Sequence, residues 1–129
     1  MADKIVLADT SILIDFFRKT DKANSKLVAL VREGYAFSIS AITEYEIYSG
    51  ATTAQTDYWQ EFLKHTQVLS FDKDVVKIAV EINNSLKRKR KQIAIPDLFI
   101  AATAISNNLP IATLNIKHFE RIDNLAIVN

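Results

Sequence analysis

Residues 5–15 read IVLADTSILID: four apolar residues, an acid, two hydroxyls and then a second apolar run. Ile5 to Ala8 has the length and character of a buried strand, and Thr10 to Phe17 reads as a helix, so Asp9 stands where a strand hands the chain to a helix. The rest of the sequence repeats that alternation. Lys22 to Glu33 reads as a second helix stopped by Gly34, the residue favoured just past a helix end. Tyr35 to Ile39 is a strand, Ser40 caps a helix running to Gly50, and a further helix covers Thr56 to Lys64. Val68 to Phe71 is a short strand, and Asp72 caps a helix whose Val75, Val76, Ala79, Ile82 and Leu86 make one apolar stripe. A later helix opens at Pro96 and ends near Asn107, followed by the strand Ile111 to Ala112 and an apolar piece, Ala126 to Val128. This alternation predicts an α/β fold, a mainly parallel sheet with helices on both faces, in a single domain spanning 1–129.

The chain's 129 residues fit one domain, and 49% hydrophobic residues suffice for a core. With 16 basic and 15 acidic side chains the net charge is +1, so no whole-molecule field draws in nucleic acid, and any such attraction is local. The absence of cysteine removes disulfides and thiolate zinc sites, and two histidines, His65 and His118, are too few for a histidine zinc site. Oxygen ligands remain, and they favour magnesium or manganese. The start, MADKIVLAD, has too short an apolar stretch for a signal peptide, and no run of about 18 apolar residues offers a membrane span. A cytoplasmic protein without membrane attachment is the expectation.

Four separated stretches place an acid or amide just past an apolar segment: Asp9 in IVLADTSILID, Glu46 in ISAITEYEIYSG, Asp97 in IAIPDLFIAATA and Asn115 in PIATLNIKHFERI. Carboxylates are costly to bury without a partner, so several of them among Ile, Leu and Ala point to a cation or proton that offsets their charge. In open α/β sheets ligands bind beyond the carboxyl ends of the strands, which is the address these residues share. Each also has a plainer reading. Asp9 before Thr10 and Ser11 serves equally as a helix cap, Asp97 after Pro96 as a complement to the helix dipole, and Asn115 as a turn residue or cap. For Asp97 the plainer reading is the weaker, because it is the only charged residue from Ile93 to Ile105, in a helix apolar on nearly every face. At about 100° per residue Glu46 falls between Ile42 and Thr43 and faces inward, whereas Glu44 points nearly opposite, beside Tyr48 on the outer surface. His118, next to Phe119, reads as a rim residue.

IVLADTSILIDFFR, ISAITEYEIYSGA, IPDLFIAATA and IATLNIKHFERI, in that order and at these separations, resemble the PIN-domain ribonucleases, and most closely the VapC toxins of bacterial toxin–antitoxin pairs, over nearly the whole chain. By that resemblance Asp9, Glu46 (in the T-x-x-E pattern from Thr43) and Asp97 match the family's catalytic, metal-binding acids. Asn115 stands at a fourth catalytic position that is often aspartate; its one neutral oxygen leaves open whether one or two metal ions bind. Thr10 and Thr113 match hydroxyl positions that support the acids. The resemblance implies metal-assisted hydrolysis of RNA phosphodiester bonds with Mg2+ or Mn2+, leaving a 5′-phosphate and a 3′-hydroxyl. It also implies a homodimer and a cognate VapB-like antitoxin whose tail enters the acidic groove.

The densest cations are Lys87, Arg88, Lys89, Arg90 and Lys91, with Arg88 and Arg90 the candidates for RNA contact, although a charged run at a helix end is commonly a solvated surface. Two rival readings remain. A phosphoacceptor receiver domain would want paired acids after the first strand, where this chain has Asp9, Thr10 and Ser11. A catalytically inactive PIN-like module that binds RNA or protein is left open by Asn115, and a metal titration separates it from an enzyme.

Overall fold

A computed structural model describes residues 4–128; residues 1–3 and 129, part of the expected 1–129 span and, at the start, of MADKIVLAD, lie outside the described residues. Strands β1 (Lys4–Ala8), β2 (Tyr35–Ser40), β3 (Gln67–Leu69), β4 (Ile111–Ala112) and β5 (Ile127–Val128) form one sheet in the order β3-β2-β1-β4-β5. Every pairing is parallel. β1 is the pivot: Lys4 through Leu7 pair with Tyr35 through Ser38 on one edge, while Leu7 pairs with Ile111 and Ala8 with Ala112 on the other. Chain order therefore reverses between β1 and β4, and such a switch point opens a crevice beyond the carboxyl ends of the two strands.

The helices are α1 (Thr10–Arg18), α2 (Lys26–Arg32), α3 (Ala41–Gly50), α4 (Thr53–Lys64), α5 (Lys73–Lys89), α6 (Ile95–Ser106) and α7 (Ile116–Phe119). Side chains alternate across a strand, and here both faces are covered. Val6, Ala8, Ile39 and Ala112 pack with Ile12, Leu13, Leu27, Leu30, Trp59 and Leu63, under α1, α2 and α4. Leu7 and Ile111 point the other way, into Val75, Ala79, Ile82, Leu86, Ile100, Ala104 and Phe119, under α5 and α6. None of the described helices is long and apolar enough to cross a membrane.

Local signals set most boundaries. Ser40 accepts from Thr43 N at 3.0 Å and Asp72 from Val75 N at 3.1 Å, as the caps predict, and Gly34 takes the left-handed conformation at φ 95° that ends α2. The helix expected over Lys22 to Glu33 is broken, however. Lys22–Asn24 is a 3-10 turn, and α2 starts only after Ser25, whose side chain accepts from Val28 N. Asp21 and Ser25 each bond a nearby backbone N–H, which competes with a continuous helix. Lys22 is drawn away as well, donating from Nζ to the carbonyls of Phe16 and Phe17 at the end of α1. α4 begins at Thr53 and not Thr56 because Thr52 and Gln55 form a reciprocal capping box. β3 ends at Leu69, its last partner on β2 being Ser40, so Phe71 falls outside the strand. Val76, assigned to the core stripe of α5, is half exposed, whereas Val75, Ala79, Ile82 and Leu86 are buried. α7 has no counterpart in the sequence reading, and Ala126 to Val128 supplies the edge strand β5.

Candidate active site

The switch point brings the four motif stretches to one cleft of about 630 Å³. Asp9, Glu46, Asp97 and Asn115 all line it, together with Thr10, Ser11, Ile14, Asp15, Arg18, Lys19 and Leu114. Glu44 is half-buried and does not line it.

Asp9 leaves the end of β1 with its N–H bonded to Ala112 O on β4, so the sheet itself fixes the residue. It is 2% exposed. Its side chain makes no cap bond to α1; Oδ2 instead accepts from Ser11 Oγ and from Thr113 Oγ1, both at 2.8 Å. Thr113 Oγ1 also accepts from Asn115 N at 2.9 Å, and Ser11 Oγ from Leu114 N at 3.0 Å. Two hydroxyls therefore pin the loop after β4 to the carboxylate after β1. On the far side, Glu46 Oε1 accepts from Thr10 Oγ1 at 2.6 Å, a short bond to an ionisable acceptor, and Thr10 also lies 2.9 Å from Thr43 Oγ1.

Asp97 sits in the first turn of α6, whose cap residue is Ala94. Its Oδ2 lies 3.1 Å from Nδ1 of His118 on α7. Burial pushes the Asp97 carboxyl above its ordinary value and the charge of Asp9 adds to that, while the hydrogen bond and charge of His118 pull it back. Asn115 precedes α7 without a side-chain cap bond.

Thr10 and Thr113 thus bond the acids they were expected to support. By sequence Ser11 is only part of a possible cap and His118 a rim residue, yet each bonds an acid of the cleft. Asp15, Arg18 and Lys19 were not singled out. Spacing carried the signal: Thr10, Ile14 and Arg18, and Ser11, Asp15 and Lys19, recur at four-residue steps and present one face of α1 to the cleft. Asp15 is engaged structurally, accepting from Lys26 N at 2.9 Å and pairing with Lys19 at 3.5 Å. Neither Arg88 nor Arg90 lines the cleft.

The donor chemistry suits a hard divalent cation, since the acids offer oxygen only and, among the described residues, neither Asp9 nor Glu46 has a cationic partner. The three carboxylates expected to bind metal do not form a ready-made cage. Among the described residues no group of three or more His, Asp or Glu is gathered closely enough to enclose an ion. An open arrangement fits magnesium, which keeps several of its waters and takes one or two carboxylates directly.

Thr113→Val tests the hydroxyl clamp. The change keeps the shape but removes a donor to Asp9 and the acceptor for Asn115 N, so stability should fall by about 1–3 kcal/mol in denaturant titration. An unchanged midpoint would show that neither bond matters to the fold.

The sequence matches the PIN domain family over residues 6–125. Ribonuclease VapC1 of Methanocaldococcus jannaschii is 32% identical over 123 residues, covering 95% of this chain and 84% of that protein. The structure of VapBC2 from Rickettsia felis bound to a DNA fragment from their promoter superposes with a TM-score of 0.85 at 26% identity, over 97% of this chain and 98% of that one. A toxin–antitoxin complex from Klebsiella pneumoniae gives a TM-score of 0.75 at 26% identity, over 96% of each chain. With a matched domain that reaches from β1 to the loop before β5, and relatives aligned along almost the whole chain, this protein belongs to the PIN-domain family and, within it, to the VapC-type ribonucleases.

Proposed function

We propose that the protein is an endoribonuclease that hydrolyses RNA phosphodiester bonds with the aid of Mg2+ or Mn2+, and that it is the toxin of a cytoplasmic toxin–antitoxin pair. The observation that carries this reading is the convergence of Asp9, Glu46 and Asp97, from three distant parts of the chain, on one cleft at the switch point. These three residues would hold the cation. When bound it supplies positive charge beside the phosphate and makes a nearby water more acidic. Asn115 adds a neutral oxygen and no charge, so the donor set argues for one cation.

The protein's own groups prepare the site. Ser11 and Thr113 fix one oxygen of Asp9, Thr10 fixes Glu46 and His118 holds Asp97, so the carboxylates need little reordering when a ligand arrives. Arg18 stands on the same wall and offers a cation to an incoming phosphate, while Lys19 beside it is shared with Asp15. Attack by water on phosphorus, with rupture of the bond to the 3′ oxygen and a proton passing to that oxygen, leaves a 5′-phosphate and a 3′-hydroxyl. The partner is a VapB-like antitoxin that covers the acidic groove, and the protein works as a homodimer. Support for that pairing comes from the likeness to toxin–antitoxin complexes of the same fold.

Purified protein should cut RNA in Mg2+ and stop in EDTA. Asp9→Asn and Glu46→Gln should each lower the rate at least about 100-fold, since losing even an outer partner of a metal ligand costs about 10- to 100-fold. Glu44→Gln, outside the cleft, should keep the parent rate. Undiminished cutting in EDTA, or a requirement for Glu44 and not Glu46, would defeat the proposal.

A further inference from the structure

A second hollow, of about 370 Å³, is lined by Arg90, Lys91, Lys117, Glu120 and Arg121. Four of those five side chains are cations in a chain of net charge +1, and among the described residues none of the four is ion-paired. The nearby Lys89, by contrast, is tied to Asp123 at 2.9 Å and does not line the hollow. Arg121 is held in place by its Nη1, which donates to Gln92 O at 3.2 Å. Arg90 stands just past α5 in the left-handed conformation, φ 56° and ψ 40°, at the position where glycine is favoured. The chain thus keeps a cation where the backbone would prefer no side chain.

The hollow adjoins the acidic cleft through α7. Leu114 and Asn115, just before that helix, line the cleft, and His118 reaches Asp97, while Lys117 between them lines the hollow. The cleft itself gives a polyanion little grip: among the described residues Arg18 is its one cation free of an ion pair, and its acids repel phosphate until a metal arrives. A substrate backbone that crosses the cleft needs cations beside it.

We propose that Arg90, Lys91, Lys117 and Arg121 form a phosphate-binding subsite that holds the RNA backbone next to the cut site. This rests on the ribonuclease reading above and adds the path of the substrate. It also divides the basic run at the end of α5: Arg90 and Lys91, just past the helix, take part, whereas Arg88 does not line the hollow.

In an Asp97→Asn background, where binding is read without cleavage, a fluorescent single-stranded RNA of about 12 nucleotides is titrated in Mg2+ at several KCl concentrations. The double substitution Lys91→Gln with Lys117→Gln removes side chains that make no hydrogen bond among the described residues, so folding is not at stake. It should weaken binding roughly tenfold and lower the salt slope by about 1.4, two phosphates at about 0.7 each. A control, Lys73→Gln with Lys77→Gln, removes equal charge from the other end of α5 and should leave affinity and slope near those of the parent. Equal weakening by the two pairs, or an unchanged slope for the first, would overturn the subsite alone. Failure of the Asp97→Asn protein and of the parent in Ca2+ to bind RNA at all would overturn the ribonuclease reading with it.

Discussion

Asp97→Asn is expected to abolish RNA cleavage and yet leave the metal-free protein at least as stable as the parent. The side chain is 19% exposed, sits among the apolar residues of α6, and shares its cleft with Asp9. Burial raises its carboxyl pKa above the ordinary value, Asp9 raises it further, and His118 offsets part of the rise. A group whose native pKa lies above its unfolded value favours folding when protonated. That contribution is complete below the ordinary carboxylate range and is lost as pH rises through the raised value. Asparagine resembles the protonated form at every pH, so the variant's advantage in EDTA should widen from mildly acidic toward neutral pH. Magnesium reverses the order: a cation that binds only the native parent adds about 2.7 kcal/mol at a hundredfold excess over its dissociation constant, and the variant should gain far less. Thermal melts with and without Mg2+ across that pH range decide it. A clear loss of metal-free stability in the variant, with no Mg2+ shift in the parent, would make Asp97 a structural residue.

Phe119→Ala should be the most damaging change outside the acids. Phe119 is fully buried, in the cluster that joins α5 and α6 to the sheet. Removing a buried phenyl ring costs about 3–5 kcal/mol, or roughly 10–20 °C in melting temperature for a domain of this size. The functional cost should exceed the stability cost. α7 has only four residues, too few to persist without a tertiary anchor. Freed from Phe119, it would release His118 from Asp97 and Lys117 from the basic hollow, while the hydroxyls around Asp9 stay in place. Cleavage and RNA affinity should therefore both fall at temperatures where the variant is still folded. A loss of less than about 1 kcal/mol would show that the loop bonds, and not the ring, hold α7.

Those two residues mark the boundary of what the sequence reveals. Asp97 was legible because one charge in an otherwise apolar helix is a local anomaly, and Ser40, Asp72 and Gly34 were legible because capping and left-handed backbone are local preferences. The alternation of strands and helices indicated the sheet, but not that β4 lies beside β1; that contact joins residues more than a hundred positions apart in the chain and is written in no local pattern. The bond from Thr113 to Asp9 is absent from any local pattern for the same reason. Thr113 comes by resemblance, whereas Ser11 reads as part of an ordinary cap beside Asp9, and its bond from Leu114 N forms only once β4 lies beside β1. α7 is too short to show a helical period, and its one fully buried residue is Phe119. In the break at Ser25 two local preferences conflict, and periodicity alone picked the wrong one.

The strand order has a consequence for how this chain meets others. The sheet's outermost strands are β3, three residues long, and β5, two residues long. So short a row of open N–H and C=O groups is a poor template for another chain, and brevity is one of the ways natural sheets avoid edge-to-edge aggregation. Growth of the sheet by an added strand is therefore disfavoured at both ends, which leaves the helix surfaces. There the exposed apolar side chains Val76 and Val80 of α5 and Ile95 of α6 line a shallow groove with Phe71 and Phe99. A sheet whose edges are this short can leave apolar helix faces exposed without inviting the fibrous self-pairing that a long open strand would permit.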